Sequence, residues 1–244
     1  MDLYRVAKEG ACETQKIIVG FSGGKDSVCL LDLCKKYFKN VYVFWMYYVD
    51  GCMLQDNYFK YIEDKYQVKI LRVPHFELSY IYKKNKYMNS SKFLKETPII
   101  YFADVENYVR DFFSCRWIAY GMMACESIER QAMLRNCGGI DYNHSKLYLL
   151  AFWNSSRVFE YLRLHNIQLP TEYQFSTRSL SCPFFEDAQN MLKAYYPGDW
   201  AKVEKKFPYA NTIHARDVYK YRRWFNEQER RKQSEQCEKN SKDG

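Results

Sequence analysis

Apolar residues along most of this chain come in short unbroken runs, separated by segments in which they recur three or four positions apart. Lys16-Ile17-Ile18-Val19-Gly20, Val41-Tyr42-Val43-Phe44-Trp45-Met46-Tyr47-Tyr48-Val49 and Val68-Lys69-Ile70-Leu71-Arg72-Val73 read as strands of the first kind, because a strand covered on both faces of a parallel sheet has no polar face to alternate with. Pro74 stops the third run. Residues 26–38 and 55–66 read as the intervening helices, with Tyr58, Ile62 and Tyr66 spaced four apart on one face of the second. Beyond residues 76–98, a Tyr/Lys/Asn-rich connection without a clear period, the pattern predicts a helix over 104–114 and a fourth strand over Arg116–Gly121. A fifth strand over Leu147–Ala151 and a helix from Ser155 to His165 follow. Alternation of this kind predicts an α/β fold, a doubly wound, mostly parallel five-stranded sheet that binds ligands at the carboxyl ends of its strands.

The pattern changes near residue 186. Pro197-Gly198, Pro208 and the charged stretch from Ala215 to Lys232 predict a helical C-terminal appendix, closed by the polar tail Glu235–Gly244. The expected division is therefore a nucleotide-binding domain over residues 1–185 and an appendix over 186–244. In the appendix Arg216, Lys220, Arg222, Arg223, Arg230, Arg231 and Lys232 mix with Tyr219, Tyr221 and Trp224. That composition suits either a solvated amphipathic helix or a surface that tracks a nucleic-acid backbone.

Composition narrows the class. With 244 residues, 47% of them hydrophobic, the chain can bury one sizeable core. The aromatic fraction, 18% with 23 Tyr and 16 Phe, serves packing first, since Tyr covers a core edge while its hydroxyl stays wet. A net charge of +8 suits a phosphate-bearing partner. The first 16 residues are mixed polar and no apolar run approaches a membrane span, so a cytoplasmic protein without a membrane partner is expected. The nine cysteines are odd in number and irregular in spacing, with no C-x-x-C pair, so reduced thiols and no iron–sulfur cluster are expected. None of the four histidines stands at a ligand or triad spacing.

The chemistry concentrates in Phe21-Ser22-Gly23-Gly24-Lys25-Asp26-Ser27, between the first strand and its helix. A glycine-rich turn there lets backbone N–H groups and the helix dipole face an anion, while Ser22, Ser27 and Lys25 add donors and a cation. The stretch is not a Walker A loop, since Gly20 and Gly24 enclose three residues and Asp26 follows the lysine. An acidic residue beside a phosphate cradle suits the Mg2+ that travels with a nucleotide. Ser-Gly-Gly-Lys-Asp-Ser resembles the pyrophosphate (PP) loop of the ATP pyrophosphatase, or adenine nucleotide α-hydrolase-like, superfamily.

Three later stretches narrow the resemblance. Gly121-Met122-Met123-Ala124-Cys125-Glu126-Ser127-Ile128-Glu129-Arg130 follows the fourth strand, Trp153 to Leu162 opens the next helix, and His165 to Pro170 with Tyr173 leads to Arg178 and Ser181-Cys182-Pro183. In order and spacing these are similar to the phosphoadenylyl-sulfate (PAPS) reductase family over roughly residues 16–183. The resemblance implies an adenine nucleotide with its phosphates on Ser22, Gly23, Gly24, Lys25, Asp26 and Ser27, and Asp50 near the adenosine or the metal. It implies Asp26 as metal ligand, and Glu126, Ser127 and Arg130 facing the reacting group. Three features depart from it: Met123 stands where the family has an arginine, Ser181 stands where it has the glycine before the late cysteine, and the tail reads Gln236-Cys237-Glu238-Lys239-Asn240, matching the reductase tail only at Cys237.

The reaction expected first is cleavage of ATP between the α and β phosphates, with Lys25, Asp26, Glu126 and Arg130 as catalytic groups. AMP would pass to an acceptor, a nucleic acid among the candidates, that is then sulfurated or aminated. The alternative is a thiol-dependent PAPS reductase in which Cys237 attacks sulfur and a thioredoxin-like reductant resolves the adduct. A third expectation is a nucleotide-sensing or partner-binding module without turnover.

Overall fold

In the computed structural model, which describes residues 3–88, 96–174 and 182–211, the predicted β-α-β-α-β run is built from five elements. Strand β1 is Lys16–Gly20, helix α2 is Lys25–Tyr37, β2 is Asn40–Tyr47, α3 is Met53–Tyr66 and β3 is Ile70–Pro74. A helix that the sequence pattern did not reveal, α1 (Arg5–Glu13), precedes them. After β3 come α4 (Glu77–Lys83), α5 (Phe102–Phe113), β4 (Ile118–Ala119), α6 (Ile128–Asn136), β5 (Ile140–Asp141) and β6 (Lys146–Leu147). Helices α7 (Ser155–Leu164), α8 (Glu186–Tyr195) and α9 (Pro197–Lys206) follow.

The strands form one sheet in the order β3-β2-β1-β4-β6-β5. β1 pairs in parallel with β2 and β4, β2 with β3, and β4 with β6. β5 is antiparallel to β6. The α/β, mostly parallel sheet is thus the expected one, with two differences. The fourth and fifth strands are shorter than their apolar runs, because Leu149 and Leu150 leave the ladder and are buried in a turn instead. The additional strand, β5, is an antiparallel edge, and a two-residue strand is too short for alternation to mark it.

Pleating divides the first strand between two cores. Ile17 and Val19 join Val28, Leu31, Phe59, Ile62, Val158 and Leu162 on one face. Ile18 joins Phe44, Val105, Val109, Ile118, Tyr120 and Leu134 on the other. On the first face, Asp32 ties three helices together. It accepts hydrogen bonds from Tyr66 (3.1 Å) and Tyr161 (2.5 Å) and pairs with Lys36 at 2.8 Å. Burial works against its charge, but Lys36 and the two hydroxyls overcome that and hold its carboxyl below the usual range.

A third core joins the C-terminal helices to the rest: Met191, Leu192, Trp200, Val203 and Phe207 pack with Tyr48, Val49, Leu54, Leu78 and Ile81. Asp199 gives this contact a polar anchor. It is 2% exposed, and its two carboxylate oxygens accept the Met53 and Leu54 N–H groups (2.9 and 3.0 Å) that open α3. The acceptor for a helix start thus comes from 145 positions down the chain.

Among the described residues no helix is long and apolar enough to cross a membrane. Asp199→Ala leaves two helix N–H groups without their acceptor. It is expected to cost about 1–3 kcal/mol of stability, read as a shift of the urea midpoint at constant slope; an unchanged midpoint contradicts the anchoring role.

Candidate functional site

Parallel register sets up the site before any side chain is considered. Gly20, the last residue of β1, lies opposite Phe44, while β2 runs on to Tyr47 opposite Pro74. The chain leaving β1 therefore turns beneath a wall formed by the overhanging end of β2 and the start of the β3–α4 connection. Phe21 makes one further sheet bond, to the Phe44 carbonyl (2.9 Å), and packs edge-on against Phe59, which in turn packs on Trp45. This aromatic base seats the loop.

Gly23 has φ +79°, in the region that disfavours any side chain, and a Cβ there would stand 3.2 Å from the Phe59 ring. Gly24 then caps α2. The Ser22 hydroxyl bridges across the turn, accepting from the Gly24 N–H (3.4 Å) and bonding to Ser27 Oγ (3.2 Å), while Ser27 donates to the Gly24 carbonyl (2.9 Å). The Lys25 N–H, at the start of α2, donates to the Tyr173 hydroxyl at 2.9 Å. A phenol thus occupies one of the donors that a helix N-terminus offers to an anion. Burial, and the charges of Asp26 and Glu172, push the Tyr173 hydroxyl up to about 12 against the pull of that N–H, so it remains protonated at neutral pH.

The Lys25 ammonium reaches both oxygens of Asp26 (2.8 and 2.7 Å) and lies 5.8 Å from the centre of the Phe159 ring on α7. Asp26 titrates above the ordinary 3.8: burial raises it, Lys25 lowers it, and the charge of Glu126 raises it again. The charge of Glu126 acting on Asp26 brings the second predicted motif to the loop. The approach is close, since a Cβ on Gly121 would meet the Asp26 carbonyl carbon and oxygen at 3.1 Å. Glu126 accepts the Met123 N–H (2.9 Å) and pairs with Arg130, while Ser127 caps α6 by accepting the Arg130 N–H at 3.2 Å.

Of the predicted residues, Ser22, Gly23, Gly24, Lys25, Asp26 and Ser27 form the turn at the start of α2, and Glu126, whose charge acts on Asp26, pairs with Arg130 and is followed by Ser127. Asp50 lies apart from them: it is exposed, accepts the Gly51 N–H (2.9 Å), and its charge bears on Tyr47, Cys52 and Lys206. Met123, where the family resemblance has an arginine, is fully buried. Cys237, Arg178, Ser181 and the basic stretch beyond residue 215 lie outside the described residues.

Beside the loop is a cleft of about 270 Å³ lined by Gly20, Phe21, Ser22, Trp45, Tyr48, His75, Phe102, Tyr120 and Cys182. His75 stacks between Tyr48 (4.3 Å) and Phe76 (4.7 Å), and burial lowers its pKa against the pull of Glu77. Burial likewise raises the Cys182 thiol. Sequence reasoning left His75 among structural or exposed histidines. Its position after Pro74, at the carboxyl end of a parallel strand, was the available signal. Tyr120, Phe102 and Tyr48 carried no signal beyond being aromatic.

Among the described residues no three His, Cys, Asp or Glu side chains converge as a metal site. Asp26, on which the charge of Glu126 acts, offers the kind of carboxylate oxygen that suits the sparse protein ligation of Mg2+, which keeps most of its shell for phosphate and water.

A model of the phosphoadenosine phosphosulfate reductase domain matches residues 16–183, well over half of the chain. No curated protein matches it. Among solved structures, the PAPS reductase from Candida auris in its phosphate complex is 9% identical, with a TM-score of 0.49 over 73% of this chain and 88% of that one. The U34-tRNA thiolase NcsA from Methanococcus maripaludis, solved with its 4Fe–4S cluster, is 15% identical, with a TM-score of 0.45 over 83% and 78%. The NH3-dependent NAD synthetase from Campylobacter jejuni is 13% identical, with a TM-score of 0.44 over 85% and 94%. The loop, the segment Gly121–Arg130 and the Tyr173 contact all fall within the matched span, and the chain belongs to the phosphoadenosine phosphosulfate reductase domain family.

Proposed function

We propose that this protein binds Mg-ATP through the loop Ser22–Ser27 and cleaves it between the α and β phosphates, releasing pyrophosphate and passing AMP to an acceptor. The observation that carries this reading is the convergence at the start of α2 of backbone N–H groups, the Lys25 ammonium and the Asp26 carboxylate, on which the charge of Glu126 acts. A polyphosphate needs the donors and the cation; a cation travelling with it needs the carboxylate. When bound, Mg2+ neutralises charge on the leaving pyrophosphate.

The residues divide the remaining work. The Tyr173 hydroxyl yields the Lys25 N–H to a phosphate oxygen. Lys25 exchanges Asp26 for the β and γ phosphates, freeing that carboxylate for the cation. Arg130, oriented by Glu126, offers its other N–H groups to the reacting phosphate, where a planar fork matches two oxygens. The aromatic cleft beside the loop receives the adenosine, which stacks where Tyr48, His75 and Phe102 expose their rings.

Family membership favours a second reading, reduction of PAPS. The Cys237 thiolate would attack the sulfur, forming a cysteine S-sulfonate and releasing adenosine 3′,5′-bisphosphate. A thioredoxin-like dithiol would then reduce the sulfonate to sulfite and be oxidised to a disulfide. Burial of Met123 leaves the substrate's anionic end without the family's arginine, which favours the first reading.

Lys25→Ala is expected to weaken Mg-ATP binding about 10- to 100-fold in calorimetry, the cost of a charged hydrogen-bonding group, and to abolish turnover. Wild-type turnover should yield pyrophosphate and adenylate, free or on the acceptor, in equal amounts; ADP and orthophosphate contradict the reading. Because the Asp26 carboxyl titrates above 3.8, it gains its proton early on acidification. Mg-ATP affinity should be full at neutral pH and fall with a midpoint above 3.8, and this limb should be missing in Asp26→Asn. A midpoint at or below 3.8 contradicts that role. For the second reading, incubation with PAPS and reduced thioredoxin is expected to give no sulfite; sulfite that vanishes in Cys237→Ser establishes the reductase instead.

A further inference from the structure

A larger cavity, of about 680 Å³, opens beyond the edge strand β3, between α4, the start of α5 and the end of α9. Its volume is in the range of sites that enclose a small molecule. It is separate from the nucleotide cleft, and His75 is the one residue that lines both. Its walls are largely apolar and ring-bearing, with Tyr47, Tyr82, Tyr108 and Phe76 among them.

Its charges are unequal in how they are held. Asp104 turns an oxygen to the Tyr101 N–H (2.7 Å) and so caps α5. Arg72 pairs with Asp56 at 2.6 Å. Lys206 has no such partner: among the described residues no carboxylate lies within ion-pair distance of it. Its ammonium donates to the Tyr48 carbonyl (2.7 Å) and lies 5.9 and 6.0 Å from the ring centres of Tyr47 and Tyr82. An ammonium has three N–H bonds to give. Burial lowers its pKa, while the charges of Asp50 and Cys52 oppose that shift. A half-buried cation between two tyrosine rings, at the wall of an apolar cavity, is a site for an anion on an aromatic body.

We propose that this cavity is a second small-molecule site, which takes a planar aromatic molecule bearing a single anionic group. The rings of Tyr47, Tyr82 and Tyr108 cover the aromatic body and Lys206 receives the anion.

The test uses the full chain and two probes of the same shape, 2-naphthoate and the neutral 2-naphthalenemethanol, titrated in a calorimeter. The expected result is one site per chain and at least a fivefold preference for the carboxylate. Lys206→Met should bring the two probes to equal affinity with an unchanged thermal midpoint. Thr97→Trp, at a partly exposed position of the lining, should exclude both probes by filling the cavity and leaves Lys206 in place, so it serves even if the first variant folds poorly. Lys25→Ala should leave naphthoate binding unchanged, which separates this site from the nucleotide reading. Absence of naphthoate binding, equal affinity of both probes for the wild type, or naphthoate displaced by Mg-ATP each overturns the proposal.

Discussion

Everything at this site depends on backbone being allowed to come close to backbone. The loop can offer its N–H groups to an anion only because Gly23 takes a left-handed turn directly over the Phe59 ring, and because Gly121 lies against the Asp26 carbonyl. A side chain at either position would lift the loop off its aromatic base or push the segment Gly121–Arg130 away from α2. The two glycines are a hundred residues apart, yet they set a single distance: that between the phosphate cradle and the carboxylate–guanidinium pair of Glu126 and Arg130.

Around that contact the sheet supplies shape and the aromatic residues supply rigidity. β2 outruns β1 by three residues, and the overhang is what turns a flat sheet edge into a cleft. Trp45, Phe59 and Phe21 brace the loop from below, and Tyr48, His75 and Phe76 form a stack along the wall. The C-terminal helices pack against the same overhang and anchor the start of α3 through Asp199.

The continuous apolar runs made the first three strands and their helices readable, because a doubly covered strand leaves no ambiguity of face. The loop was readable because glycine, lysine, aspartate and serine have few joint uses between a strand and a helix. Glu126 and Arg130 were marked by a family spacing, and both fall within the span of the domain match. What escaped is what depends on distant partners. The short β5 is set by pairing with β6 across a hairpin rather than by local pattern. Tyr173 reaches the Lys25 N–H across 148 positions, which no local period encodes. Asp50, which the resemblance implies near the adenosine or the metal, is exposed, and its charge acts on Lys206.

The contact between Tyr173 and the Lys25 N–H marks the point at which the account is most exposed. If the loop is a pyrophosphate cradle, that hydroxyl holds the position that a phosphate oxygen takes. A crystal structure of the protein with Mg-ATP is the most direct measurement. The account predicts the β and γ phosphates over Gly23 and Gly24, an oxygen of theirs accepting the Lys25 N–H, and Tyr173 moved off it. Phosphates bound elsewhere, with the Tyr173 hydroxyl still on the Lys25 N–H, would contradict it.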